Sequence, residues 1–243
     1  MSSDLVRSDP RAVALRDELQ RRWNANTAIL ELRQNENASV ASTIFSVGRS
    51  GGSGLSTLSL TLEFMTGSEA LIVEVGGNRC PAFRDRPPER HLHFSSRDPD
   101  RIDRALDARF DAAGKVAIIE FEPALYRETI DVAANFEAML GQSNLMVFYV
   151  AGRHEEDPAY RAKARECGLR EVILCRQAVQ TATARDAGFV PLPWLHHDIM
   201  HSMHAGCATL AEALDQCTGL WTQMEARGRL ENFAHAILSG EGR

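Results

Sequence analysis

The sequence predicts an α/β protein of three layers, with a doubly wound, mostly parallel sheet between two layers of helices. Three observations carry this prediction. Short apolar runs at 40–47, 70–75, 115–121, 145–150 and 171–175 mark strands buried on both faces. Stretches of helical character at 55–65, 102–113, 125–140 and 158–167 lie between them, and such alternation makes a parallel sheet with helical crossovers. A glycine-rich segment follows the first run, at the carboxyl end of a strand, where sheets of this type bind their ligands.

Taken in order, Asp9 and Pro10 suit the cap and first turn of a helix over 9–32, with Leu15, Leu19 and Trp23 as a modest apolar stripe. Arg7, Arg11, Arg16, Arg21 and Arg22 lie around that stripe, diluted by Asp17 and Glu18. The expected role is a helix docked on the core or a partner, with a nucleic-acid- or membrane-contacting arm as the alternative. Residues 34–37 read as a linker, which divides the chain into a helical extension at 1–37 and an α/β domain at 38–243. The strand at 40–47 runs into glycine, the helix at 55–65 follows, and the strand at 70–75 stops at Gly76-Gly77-Asn78. Residues 79–100 are polar and contain Pro87-Pro88, the composition of a long loop; His91 and His93 within it read as surface residues. After the strand at 171–175 come a short helix at 178–187, a brief extended piece at 189–193 and two helices within 195–238. The chain shows no internal repeat and no low-complexity segment.

Composition narrows the function classes. The chain has 243 residues, 44% hydrophobic and 25% charged, enough to bury a substantial core. A net charge of −6 does not indicate a nucleic-acid coat. No apolar run approaches the roughly 20 residues that span a bilayer, and the first residues lack a signal-peptide core. The 5 cysteines form no C-x-x-C pair, so reduced thiols in a cytoplasmic protein are expected.

The glycine-rich segment, SVGRSGGSGLST over 46–57, carries the chemistry. Glycines let backbone N–H groups turn toward a ligand, and a helix N-terminus adds partial positive charge for a phosphate. In a phosphate-binding loop Ser56 is the hydroxyl that meets Mg²⁺, with Thr57 beside it. The strict pattern G-x-x-x-x-G-K-[ST] is broken twice, by Arg49 at the first glycine and by Leu55 at the lysine.

This segment resembles the deviant Walker phosphate loop (P-loop) of the ParA/MinD family of partitioning and positioning ATPases, whose consensus is K-G-G-x-G-K-[ST]-T. The matching residues are Ser50, Gly51, Gly52, Ser53, Gly54, Leu55, Ser56 and Thr57. The run ALIVEVGG from Ala70 is similar to the family's second strand, VAIIEFEP from Val116 to its strand ending in Asp-x-Pro-Pro, and VPLP from Val190 to the segment lining its base pocket. The resemblance spans roughly 40–220. It implies a P-loop NTPase-like fold, ATP or ADP with Mg²⁺ as cofactor, a homodimer, a protein partner complex, and roles in plasmid partition, mobilisation or the placing of large assemblies. Arg49, Gly51, Gly52, Ser53, Gly54, Ser56 and Thr57 are then the cofactor-binding residues.

Departures from the family bear on the activity. Ser50 stands for the signature lysine that crosses the dimer and Leu55 for the loop lysine, while Glu74, Gly76 and Glu120 replace family aspartates. Losing such cations removes transition-state stabilisation, so the chain is at most a weak NTPase and reads as a pseudo-ATPase. Arg49 and Arg79 are candidates for substitute charge, against a solvent-facing role for a loop arginine. Glu74, Glu120 and Glu122 are candidate switch or Mg²⁺-water carboxylates, against solvated ends of buried strands. The connection at 76–88 and the segment after Pro123 are the expected moving parts.

A second unusual feature is HHDIMHSMH from His196. In a helix, His197, His201 and His204 share one face, a geometry for a transition metal with Asp198 or Cys207 as weaker additions. The alternative is a partly exposed helix face. No H-E-x-x-H signature accompanies it. The expectation is thus a nucleotide-responsive ParA/MinD-like module; the alternatives are a nucleotide-free scaffold on the same fold, or a metal-binding protein built on the histidine face.

Overall fold

Strands that are apolar on both sides must be covered on both sides, and the computed structural model does this with helices. It describes residues 43–49, 51–66, 69–112, 115–140, 145–151, 158–169, 172–177, 188–206 and 209–238. The elements are β1 (Thr43–Gly48), α1 (Leu55–Met65), β2 (Leu71–Val75), β3 (His91–Phe94), α2 (Arg101–Asp111), β4 (Ala117–Phe121), α3 (Glu128–Leu140), β5 (Leu145–Val150), α4 (Pro158–Glu166), β6 (Val172–Gln177), β7 (Val190–Leu192), α5 (His197–His204), α6 (Leu210–Gln216) and α7 (Leu220–Leu238). The 7 strands form one sheet in the order β3-β2-β4-β1-β5-β6-β7, and every pairing is parallel.

From β1 the chain steps to β2 and β3 on one side, returns to β4, then crosses to β5 on the other side of β1. With right-handed crossovers, that reversal sorts the helices onto opposite faces. Leu58 and Leu62 of α1, Ile199 of α5, Leu214 of α6 and Phe233 of α7 share one core with Ile44, Ile72 and Ile118. Ala105 of α2, Phe136 of α3 and Tyr160 of α4 share the other with Phe45, Val73 and Ile119. The doubly wound α/β expectation is met, and the reversal of strand order falls at β1, the strand that precedes the glycine-rich segment. β7, an edge strand among the described residues, carries Pro191 at its centre.

A cluster of polar strand residues interrupts the core on the α1 side. The two-residue period of a strand puts Ser46, Glu74 and Glu120 on that face, and register sets Glu120 opposite both Ser46 and Glu74. All three lie at the carboxyl ends of neighbouring strands.

The segment at 79–100 departs from expectation. It contains a 3-10 turn at Pro81–Phe83 and the edge strand β3. HLHF is too short and too polar to read as a strand, yet an edge strand needs no continuous apolar run. His91 is buried at 2% exposure and His93 is half-buried, correcting the surface assignment of both. The connection is also anchored. Arg86 donates to both carboxylate oxygens of the buried Glu63 on α1, at 2.6 and 2.8 Å, Arg90 adds a third bond at 3.2 Å, and the Arg86 guanidinium lies 4.9 Å from the Phe83 ring centroid.

Two further differences are local. A 3-10 turn at Pro123–Leu125 precedes α3, which starts at Glu128. The span 195–238 holds three helices instead of two, because Thr209 caps α6 by accepting from the Glu212 amide at 3.1 Å. The expected helices at 9–32 and 178–187, the linker at 34–37 and the start of the first strand lie outside the described residues. No helix among the described residues is long and apolar enough to cross a membrane.

Candidate functional site

The site is built where β1 meets α1. Gly52 and Gly54 take positive φ, +72° and +103°, a conformation that costs an L side chain. Gly54 is also crowded: a Cβ there would meet Leu192 Cδ1 at 3.1 Å. Gln177, at the end of β6, donates its amide to the Gly52 carbonyl at 2.7 Å and ties the turn to the sheet. Gly54 caps α1 without a side-chain bond, and the first intrahelical bond is Leu58 N to Gly54 O at 2.9 Å. The amides of Leu55, Ser56 and Thr57 precede it and have no partner within the helix. A cup of about 380 Å³ results, lined by residues 51–57 with Glu120, Pro123 and Gln177. Its size falls in the range of small-molecule sites.

Among the described residues, one acidic group, Glu120, enters the cup. Ser56 Oγ donates to Glu120 Oε1 at 3.1 Å, and Ser59 Oγ, one turn along α1, donates to Glu120 Oε2 at 2.7 Å. Burial pushes the Glu120 carboxyl up to about 7; the Ser59 bond opposes this, the Glu74 charge adds to it, and the Ser56 bond opposes it. A hydroxyl and a carboxylate side by side are hard oxygen donors of the kind that hold Mg²⁺. Ser53 also lines the cup, and its buried hydroxyl has no hydrogen-bond partner among the described residues.

Glu74 is occupied differently. Arg79 Nη2 donates to His91 Nδ1 at 2.9 Å, which leaves His91 Nε2 as the donor to Glu74 Oε2 at 2.7 Å. The Cys80 amide fills Glu74 Oε1 at 2.8 Å. Burial raises the Cys80 thiol, while hydrogen bonds to Ser56 and to the Ala82 backbone pull it back. Glu74 therefore holds the β2–β3 connection beside the cup without lining it.

The remaining candidates fall in three places. Gly51, Gly52, Ser53, Gly54, Ser56 and Thr57 line the cup together, as the loop reading expects. Arg49 is exposed and lies 5.7 Å from the Tyr126 ring centroid, beside the segment that follows Pro123. Arg79 is engaged with His91, and Glu122 accepts from the Gly77 amide at 2.7 Å while pairing with Arg101 at 3.8 Å. Leu55 is 8% exposed; it packs against Gly48 and belongs to the α1-side core while contributing an apolar patch to the cup. None of the described lining residues is a lysine, arginine or histidine. Ser50 lies outside the described residues.

The histidine face does not form a ligand set. His197 and His201 lie on α5 with their rings stacked 6.1 Å apart, His204 is exposed at its end, and no group of three His, Cys, Asp or Glu among the described residues is arranged to hold a metal ion. The i, i+4, i+7 spacing supplies a common face, but an exposed face gives the side chains nothing to converge on. Cys207 lies outside the described residues.

Three contributors escaped the sequence reading: Ser59, Gln177 and His91. Ser59 carried a readable signal, since it sits three residues after Ser56 on the same helix face. Gln177 and His91 carried none, because each acts on a residue distant in sequence, Gly52 and Glu74 respectively. The chain matches no protein-family model and no curated protein. What the described residues define is a doubly wound α/β protein with a glycine-lined cup at the carboxyl edge of its sheet, where the strand order reverses.

Proposed function

We propose that this chain is a nucleotide-responsive module of the ParA/MinD type, holding the phosphates of ATP or ADP with Mg²⁺ in the glycine-lined cup and signalling occupancy to a protein partner. The observation that carries this reading is the contact of Ser56, in the first turn of α1, with Glu120 on β4. It joins the loop hydroxyl expected to meet a cation with the strand-end carboxylate expected to sense it. The backbone supplies the anion cradle, Ser56 and Glu120 face the cation, and Glu120 leads directly into the segment beginning at Pro123. The absence of a basic side chain in the described lining favours regulation by binding over turnover, with at most weak NTPase activity. A homodimer and a recruited partner complex complete the reading.

The same absence favours a second reading, a nucleotide-free scaffold that kept the sheet and uses its surface for interaction. Titration of the purified chain with ATP, ADP and GTP, with and without Mg²⁺, separates the two. Saturable binding that depends on Ser56 supports the responsive module, and no heat or fluorescence change at millimolar nucleotide leaves the scaffold.

A further inference from the structure

The histidines of α5 take no part in the cup, and within one chain they do not converge on a common point. We propose that they form half of a metal site: His197 and His201 of one chain, with the same pair of a second copy, hold a single zinc ion that joins two copies of this chain through α5.

Residues four apart on a helix stand one above the other, and the His197 and His201 rings are stacked with centroids 6.1 Å apart and planes 10° from parallel. Two imidazole nitrogens on one tetrahedral zinc, each about 2.1 Å from it, stand about 3.4 Å from one another. Both residues are exposed, so turning about their side-chain torsions brings the nitrogens to that spacing without moving the helix. The helix itself is fixed, because Ile199 and Met203 on its other side are buried at 0% and 1% exposure. The Asp198 carboxylate lies 3.7 Å from His197 Nδ1 and 3.3 Å from His196 Nδ1. An acidic group beside Nδ1 favours a proton there, which leaves the outer nitrogen of His197, Nε2, to bind the metal.

One chain does not finish the shell. Among the described residues, no third His, Cys, Asp or Glu is arranged with the pair, so one chain offers two ligands where zinc takes four. A two-fold axis over this face supplies the other two, since such an interface sets the same patch of each copy against its counterpart. The charge of the face suits that approach. The helix, HDIMHSMH, has no lysine or arginine, and its one carboxylate, Asp198, carries a charge that the bound ion offsets.

Calorimetric titration with zinc chloride of the full chain, free of any affinity tag and stripped with EDTA, tests this when paired with sedimentation at the end point. The expected result is one zinc per two chains and a twofold rise in mass that EDTA reverses. His197→Ala and His201→Ala change exposed positions, so each should keep the parent's thermal melt in EDTA while losing both the uptake of micromolar zinc and the doubling. His204→Ala should keep both. One zinc per chain with no change in mass marks an adventitious ion only and overturns the proposal. Zinc-driven association that survives both single variants overturns it too, as does no uptake at all. With no nucleotide present, none of these outcomes touches the reading of the cup.

Discussion

The glycine-rich turn after β1 and the connection after β2 leave neighbouring parts of the same sheet edge, yet they are held by opposite means. The turn is almost all backbone, fixed by two left-handed glycines and one side-chain bond from Gln177. The β2–β3 connection is fixed by buried charge: Glu63 with Arg86 and Arg90, and the chain from Arg79 through His91 to Glu74. Helix α1 serves both, offering its N-terminus to the cup and Glu63, near its C-terminus, to the connection. The difference indicates which part can answer a ligand. A connection clamped by buried ion pairs is costly to move, so of the two moving parts expected from the sequence, the segment after Pro123 is the better route out of the cup.

The harshest way to break this comparison is Arg86→Ala. It removes two of the three arginine bonds to the buried Glu63 carboxylate and leaves the longer one from Arg90, and denaturant unfolding should show a loss of about 3 kcal/mol. An equally stable variant would show that the connection is not clamped. Next in size is Glu120→Gln. The Glu120 carboxyl is raised from 4.5 to about 7, so the folded chain binds its proton more tightly than the unfolded chain. That contribution is fully present below the unfolded value and is lost as pH rises through the folded one. Stability should therefore decline between about pH 4.5 and 7 by roughly 3 kcal/mol through this group. The variant should be more stable than the parent at pH 8 and lose that advantage near pH 4, as thermal melts across the range would show.

Smaller effects sharpen the picture of the turn. Gly54→Ala forces an L residue to φ +103° against Leu192 and should cost about 1–2 kcal/mol, whereas Gly51→Ala meets open space and should be close to neutral. Urea midpoints of the two variants measure the contrast. Gln177→Ala should cost about 0.5–1.5 kcal/mol of stability for one hydrogen bond. Its larger effect should fall on ADP affinity, since the Gly52 carbonyl is released toward the cup.

Much of this architecture was legible from residues alone, for a physical reason. Central strands of a parallel sheet are continuous apolar runs, so the one at Leu145–Val150 was bounded correctly and the helix Leu55–Met65 likewise. The edge strand His91–Phe94 was missed because a strand paired on one side can carry histidines, and what buries His91 is Glu74, 17 residues earlier. The three helices between 197 and 238 were read as two although Thr209 and Glu212 spell a helix start. In the cup, Gly51 to Thr57 could be grouped from sequence because consecutive residues between a strand and a helix share one turn, and Glu120 because it stands near the end of an apolar run. The bonds that give Glu120 its character reach it from α1 across the sheet, and no local pattern announces them.

Pro191, at the centre of edge strand β7, has no N–H to offer a newcomer, and the opposite rim is only the four residues of β3. The sheet is thus capped at one border and blunt at the other, which disfavours lateral strand addition as a mode of self-association. Copies of this molecule, or other proteins that grip it, would meet its helical faces and the loops at its carboxyl edge. Contacts made there can be made and released without rethreading a backbone ladder.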